Sequence, residues 1–328
     1  MDRHALAQLT HRAANFLTLD NNVYKQWVFR YTFLELEKDL GVNGDITTAA
    51  IFPELKEVKA KVIAKENGVL AGAEEIKYFL VDADDNFRPR VSGKFSVDLK
   101  KKDGDVINKG DVIMELSAEV HDLLAVERVM LNLLMRMSGI ATKTRRIVEK
   151  VAEYGTLIVP TRKTLWGLLD KKSVVIGGGG THRLNLSDAI LVKDTHLDLM
   201  ERDVYRVLKT LSENKPDCRF IEVETESMEE AVVAAKFLSM DLSTYKLSTI
   251  GAIMFDNSKP ADIKVTMDQL KKEGLYEKLL FEASGGINEM NVAEYAATGV
   301  DIISMGELTN GVASLDMSMK IMGGSDRC

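Results

Sequence analysis

The chain has 328 residues, enough for two domains or for one large barrel with an added module. Hydrophobic residues are 45% and charged residues 28%, so a sizeable core can form and a disordered chain is excluded. Lys+Arg is 43 and Asp+Glu is 50, a net charge of −7. That excludes a general binder of nucleic acid or acidic membrane surfaces, which needs a broad basic excess.

One stretch opposes the acidic average. Residues 161–196 hold Arg162, Lys163, Lys171, Lys172, Arg183 and Lys193 against Asp170, Asp188 and Asp194, a local charge of +3. Two of the five histidines, His182 and His196, fall there as well. Cys218 and Cys328 form neither a metal-ligand spacing nor a disulfide framework, so a reducing cytoplasmic setting is expected. No signal-peptide core and no apolar run of membrane length is present.

In chain order, residues 5–39 have helical spacing without proline, and Gly41–Asp45 reads as a turn. Residues 57–72 alternate as strands (Val58, Ala60, Val62, Ala64), and Asn67-Gly68 is a hairpin signal. Residues 91–120 are again strand-like, with turns at Asp103-Gly104 and Lys109-Gly110. An antiparallel sheet with helices on one side is expected for this part.

From 121 to 153 one long helical pattern runs, with Leu124, Arg128, Leu131 and Met135 on one stripe. An arginine there either snorkels at the helix edge or points into a ligand site. Beyond it, β-rich runs alternate with helical segments: Leu157–Pro160, Ala189–Val192, Phe220–Val223, Ile250–Phe255, Leu279–Ala283 and Ile302–Ser304. Repeated β-α units predict a parallel sheet. A barrel is favoured because no GxGxxG follows the first strand and polar residues recur at almost every strand end.

Those ends read Thr161-Arg162-Lys163-Thr164, Lys193-Asp194-Thr195-His196, Glu222-Val223-Glu224, Asp256-Asn257, Ser284-Gly285-Gly286 and Ser304-Met305-Gly306. Each alone is an ordinary surface, salt-bridged face or turn; together they fit an anionic, phosphorylated substrate. Arginine and lysine pair with carboxylate and phosphate, and a Gly-Gly turn exposes backbone N–H groups to an anion. Glu222 and Asp256 could hold Mg²⁺ or face a developing positive charge. Gly177–Gly180 reads as a flexible loop or as a hairpin that delivers His182 and Arg183 over the site.

The chain resembles the quinolinate phosphoribosyltransferases, also called nicotinate-nucleotide pyrophosphorylases (carboxylating). The likeness rests on the strand-end groups above, on Gly177–Gly180 with His182-Arg183, on Gly44–Thr48, Ala64–Gly72, Glu127-Arg128 through Ser138–Thr142, and on Glu282–Ile287, all in the same order. It covers about Gly41 to Met317. Departures are Leu165-Trp166 before Gly167, Leu169 where the family has arginine, and Thr195 within Asp194-Thr195-His196. Leu238–Ile250 looks like an insertion.

The resemblance implies an N-terminal α/β sandwich over residues 1–137, to which the tail 311–328 returns, and an incomplete β/α barrel over 138–310. It implies quinolinate and phosphoribosyl pyrophosphate (PRPP) as substrates, Mg²⁺ as cofactor, and a homodimer or a hexamer of dimers with shared sites and Arg128 entering the neighbour's. Arg128, Arg162, His182 and Arg183 would hold the pyridine carboxylates, beside Thr161. Lys163 and Lys193 would bind on the pyrophosphate side or at the electron-poor site, and Glu222 and Asp256 would face the ribosyl centre and Mg²⁺. Ser284, Gly285, Gly286, Ser304 and Gly306 would cradle the 5′-phosphate. A paralogue acting on nicotinate or another base, a pyrophosphorylase-like protein associated with molybdate transport, and a silent phosphosugar-binding barrel remain alternatives.

Overall fold

The computed structural model describes residues 2–82, 91, 94–214, 218–239 and 250–323. Most of the expected insertion at Leu238–Ile250 lies outside these residues. The chain divides into two units, one of residues 14–145, 165–178 and 312–328, the other of 1–13, 146–164 and 179–311.

The first unit is built on an antiparallel sheet. Its helices are α2 (Asn22–Leu40), α3 (Ile46–Ile51), α4 (Ala73–Lys77), α5 (Val120–Lys150, to Arg145 in this unit) and α6 (Leu168–Ile176). Strand β1 (Glu57–Ala64) lies between β5 (Val112–Glu119) and β12 (Met317–Ile321), and β3 (Ser96–Leu99) pairs with β5. Ala60, Val62 and Ala64 are buried, so the alternation seen in the sequence sets the core face. Met317 stands opposite Ala64, which brings the end of the described chain into this sheet.

Asn67-Gly68 is not a hairpin. β2 (Gly68–Val69) pairs with β4 (Val106–Ile107), and β1 takes β5 and β12 instead. Ser138 and Thr142, one turn apart on α5, explain the outcome: their hydroxyls accept the N–H groups of Ala71 and Val69 at 3.0 and 2.9 Å. A short-range turn signal is thus outweighed by two side-chain acceptors on a distant helix.

The second unit is a six-stranded parallel sheet. Its strands are β6 (Leu157–Pro160), β7 (Ile190–Val192), β8 (Phe220–Thr225), β9 (Ile250–Asp256), β10 (Leu280–Ser284) and β11 (Ile302–Met305). Their order, β6-β11-β10-β9-β8-β7, is that of a barrel opened between its first and second strands. Helices α7 (Asp194–Asp198), α8 (Val204–Asn214), α9 (Met228–Ser239), α10 (Pro260–Lys272), α11 (Val292–Ala296) and α12 (Glu307–Asn310) connect or follow them. The strands are near-continuous apolar runs, as strands covered on both faces must be. The exceptions include Glu222, Glu224, Glu282 and Ser304.

Residues 5–39 do not form one helix. Helix α1 (Arg3–His11) ends at His11, and α2 starts anew with Asn21 accepting the N–H groups of Val23 and Tyr24. The break has a tertiary cause. The His11 carbonyl accepts N–H bonds from Thr181 and His182 at 2.7 and 3.0 Å, so it is spent outside its own helix. Gly180 permits that approach, since a Cβ there would lie 2.6 Å from the same oxygen. Ala7 of α1 packs on Leu157, Leu280 and Ile302, each the first residue of its strand, so α1 covers the N-terminal end of the parallel sheet.

Arg3 anchors this helix through a two-pronged bond to Asp301, Nε–Oδ1 2.8 Å and Nη2–Oδ2 2.6 Å. Burial raises the Asp301 carboxyl above its usual range, and the guanidinium opposes that shift. Arg3→Ala would strand a buried carboxylate, so we expect a loss of roughly 2–3 kcal/mol, read as a lower urea midpoint. An unchanged midpoint would show that the helix is held by its apolar face alone.

Candidate active site

A cavity of about 810 Å³ opens at the C-terminal ends of the parallel strands, and every strand contributes to it. Thr161, Arg162 and Lys163 follow β6, Lys193 follows β7, and Glu224 sits near the end of β8. Asp256 and Asn257 close β9, Ser284, Gly285 and Gly286 close β10, and Ser304 and Gly306 belong to the end of β11. His182 and Arg183 line it from the segment after the glycine run. Strand ends converge there because parallel strands deliver their C-termini to one rim.

Several contacts hold these groups in place. The Thr309 hydroxyl donates to the Lys163 carbonyl at 2.8 Å. The Lys193 ammonium lies 3.4 Å from Glu224 Oε2, and the Lys193 N–H donates to His196 Nδ1 at 3.0 Å. Asn257, in a left-handed conformation at φ 51°, donates its N–H to the Ser284 carbonyl at 2.9 Å. That bond ties the β9 end to the Gly285-Gly286 turn.

The electrostatics are divided. On the cationic side, burial and then the neighbouring Arg162 charge lower the Arg183 guanidinium below its usual value. Like charges held together in this way select an anion. On the acidic side, burial raises the Glu224 carboxyl to about 7; the Lys193 ammonium opposes the shift, while Asp256 and Asp194 add to it.

Two residues expected at the site are not among those lining the cavity. Glu222 shares the inward face of β8 with Glu224, as strand alternation requires, but lies two residues, about 6.5 Å, deeper. It is fully buried, with Oε2 3.0 Å from His182 Nε2. Burial and the facing Glu282 raise its carboxyl to about 7. Glu224, and not Glu222, therefore shares the cavity with Asp256.

Arg128 lies on α5 in the antiparallel unit and is exposed. The buried face of α5 runs through Leu123, Val126, Met130, Leu134 and Met137; Leu124 and Met135 are only half-buried. Arg128 thus stands beside the apolar stripe, and it bears no burial cost.

Asn257, Leu191, Met254, Ile287, Glu307, Asn310 and Gly311 also line the cavity. Asn257 belongs to the Asp256-Asn257 strand end and Ile287 to the Glu282–Ile287 run already legible in the sequence; the others carry no local signal. Leu169, one of the departures from the family pattern, is a core residue of the antiparallel unit. Trp166 packs on Tyr31 with ring centroids 4.4 Å apart, and its N–H is accepted by Asp170, which also holds Arg136.

Residues 140–320 match the family model for the quinolinate phosphoribosyl transferase C-terminal domain, and residues 45–138 match the N-terminal one. A probable nicotinate-nucleotide pyrophosphorylase (carboxylating) of Methanothermobacter thermautotrophicus is 36% identical over 297 residues, 88% of this chain and 96% of that one. The protein of the same description in Bacillus subtilis is 36% identical over 310 residues, 92% of this chain and 94% of that one. Among solved structures, a NadC deletion mutant superposes with a TM-score of 0.77 at 30% identity, covering 93% of this chain and 97% of that one. With its two matching domains and its rim of strand-end charges, the chain belongs to the quinolinate phosphoribosyltransferase family.

Proposed function

We propose that this enzyme joins quinolinate to PRPP, yielding nicotinate mononucleotide, pyrophosphate and CO₂, a step of NAD biosynthesis. The observation that carries the reading is the joint rim: Arg162, Lys163, Arg183 and Lys193 face the same cavity as Glu224, Asp256 and the Gly285-Gly286 turn. A dicarboxylate and a multiply phosphorylated sugar need this division of cations, acids and backbone donors.

Arg162 and Arg183 hold the two carboxylates of the pyridine and aim its nitrogen at C1′, with His182 lining the cavity beside them. Backbone N–H groups at Gly285, Gly286 and Gly306, with Ser284 and Ser304, take the 5′-phosphate. Lys163 takes the pyrophosphate side, joined by Lys193. As the C1′–O bond lengthens, positive charge grows on the ribosyl centre, and Glu224 and Asp256 face it. The ring nitrogen then bonds to C1′ and pyrophosphate leaves. The positively charged ring next accepts the electron pair left by CO₂, and a proton replaces it at C2. Placement of charge supplies the catalysis, and no covalent enzyme intermediate is needed.

Mg²⁺ fits the acidic side. Its donors are carboxylate oxygens, and the burial that raises Glu224 is relieved by an adjacent dication. Glu224 and Asp256 would hold it. When bound, the ion neutralises pyrophosphate and makes it a better leaving group.

The deciding assay supplies PRPP and Mg²⁺ with either quinolinate or nicotinate. Nicotinate mononucleotide and one CO₂ per turnover from quinolinate are expected. Product from nicotinate without CO₂ release from quinolinate would reject the reading.

The enzyme acts in this reading as a homodimer, or a hexamer of dimers, in the cytoplasm, and Arg128 serves the partner's site. Its exposed position on α5 supports that role. Arg128→Ala and Glu224→Gln, each nearly inactive, should complement when mixed and reassembled. Random pairing leaves one intact site in each mixed dimer, so about one quarter of wild-type activity should return. No recovery despite exchange of subunits would place Arg128 outside the partner's site. No helix among the described residues is long and apolar enough to cross a membrane.

A further inference from the structure

Below the cavity, inside the parallel unit, His11, His182, Glu222 and Glu282 gather with their ligand atoms within 4.8 Å of one another. His11, Glu222 and Glu282 are fully buried. His11 Nε2, Glu222 Oε1 and Glu282 Oε1 lack a hydrogen-bond partner, while Glu222 Oε2 and Glu282 Oε2 meet His182 Nε2 at 3.0 and 3.4 Å. Buried polar atoms are rarely left so, and two carboxylates facing each other add repulsion to that cost.

The tautomers are set by the neighbours. The Thr10 hydroxyl donates to the Leu6 carbonyl at 2.9 Å, so its oxygen accepts from His11 Nδ1 at 2.8 Å. The His11 proton therefore sits on Nδ1, and the bare Nε2 lone pair points at the carboxylates, 3.9 Å from Glu222 Oε1 and 3.8 Å from Glu282 Oε2. A lone pair aimed at two carboxylates is repulsive unless a cation lies between them. His182 is in the opposite state: its Nδ1 accepts the Arg183 N–H at 2.6 Å, so Nε2 carries the proton and donates it to Glu222 Oε2 at 3.0 Å, with Glu282 Oε2 at 3.4 Å.

We propose that His11 Nε2, Glu222 and Glu282 bind a divalent first-row transition ion of the zinc class, with His182 as an outer neighbour of the carboxylates. Four donors arise from this chain alone when one carboxylate binds through both oxygens. Bonds of about 2.0–2.1 Å put tetrahedral donors about 3.3 Å apart, so the His11 Nε2 distances of 3.8–3.9 Å must contract by about 0.5 Å on binding. Two carboxylates and a neutral imidazole neutralise a dication, and the nitrogen donor disfavours magnesium, which takes oxygen ligands and retains water. The ion would pin α1 to the end of the parallel sheet and fix the underside of His182, which lines the substrate cavity. This site is separate from the magnesium position at Glu224 and Asp256.

The test uses full-length protein grown with added zinc and dialysed against excess Mg²⁺, with no substrate present. Metal analysis should find about one zinc per chain. His11→Gln and Glu282→Gln should each weaken retention by about 100-fold, whereas Asp256→Asn should keep the ion. Protein refolded with Co²⁺ should show the visible absorption of a low-coordinate site with a nitrogen ligand, a reading on the wild type that needs no variant. Absence of retained zinc and of that absorption would overturn the proposal and leave a shared proton between the two carboxyls. So would zinc retained equally by folded His11→Gln, or lost in Asp256→Asn.

Discussion

Glu224→Gln should lower kcat by about 100- to 1000-fold while the protein remains folded. The side chain is nearly the same size, so packing at the end of β8 persists. What is lost is the negative charge that we propose faces the ribosyl centre, together with the 3.4 Å ion pair to Lys193. Interactions that strengthen as charge develops act on kcat more than on substrate binding.

The wild type should carry a pH signature of the same group. Burial, offset by Lys193 and reinforced by Asp256 and Asp194, raises Glu224 to about 7 in the free protein. Below that pH the carboxyl is protonated and cannot face a positive centre. Above it the charge is present. The kcat/KM for PRPP should therefore fall as pH drops through about 7, and raising Mg²⁺ should move that limb to lower pH because the cation favours the carboxylate. Glu224→Gln should lack the limb. A variant with near wild-type kcat, or with the limb intact, would remove Glu224 from the reaction.

The second large effect concerns Gly285. Its φ of 88° is left-handed, and an added Cβ would lie 2.3 Å from Asn257 Oδ1 and 2.7 Å from the Asn257 backbone nitrogen. The side-chain oxygen could move. The backbone nitrogen cannot, because it donates to the Ser284 carbonyl at 2.9 Å. Gly285→Ala must therefore shift the turn whose N–H groups we propose take the 5′-phosphate.

A displacement of about 1 Å at a positioning element can cost about 100-fold, so kcat/KM for PRPP should fall by that order. Gly286 gives the comparison. At φ 63° it is also left-handed, but a Cβ there meets nothing within 4 Å. Gly286→Ala pays backbone strain only, about 1–2 kcal/mol, and should harm PRPP use less. Equal losses in the two variants would mean that strain, not the Asn257 contact, controls the turn. A wild-type KM for PRPP in Gly285→Ala would detach the turn from the phosphate.

The sequence alone was enough to locate the cavity rim. Arg162, Lys163, Lys193, Asp256, Ser284, Gly285 and Gly306 each follow or end a β-rich run, and the end of a strand is a local property. Once those runs form a parallel sheet, their ends share one rim wherever each strand sits. The alternation of Ala60, Val62 and Ala64 set the core face of β1 for the same local reason.

Depth and partnership are not local. Glu222 and Glu224 carry the same inward signal, and only the position of the rim along β8 separates the buried residue from the one at the cavity. Arg128 differs from a core position by a small rotation about α5, at about 100° per residue, and the tertiary packing of α5 decides which side is covered. Asn67-Gly68 signals a turn, yet Ser138 and Thr142 draw the following segment to α5. His11 carries no motif at all. It meets Glu222 and Glu282 only because Thr181 and His182 take its carbonyl, ending α1 where the imidazole reaches the interior of the parallel unit. Contacts between groups 170 or more residues apart depend on the assembled sheet, and no periodicity in the chain encodes them.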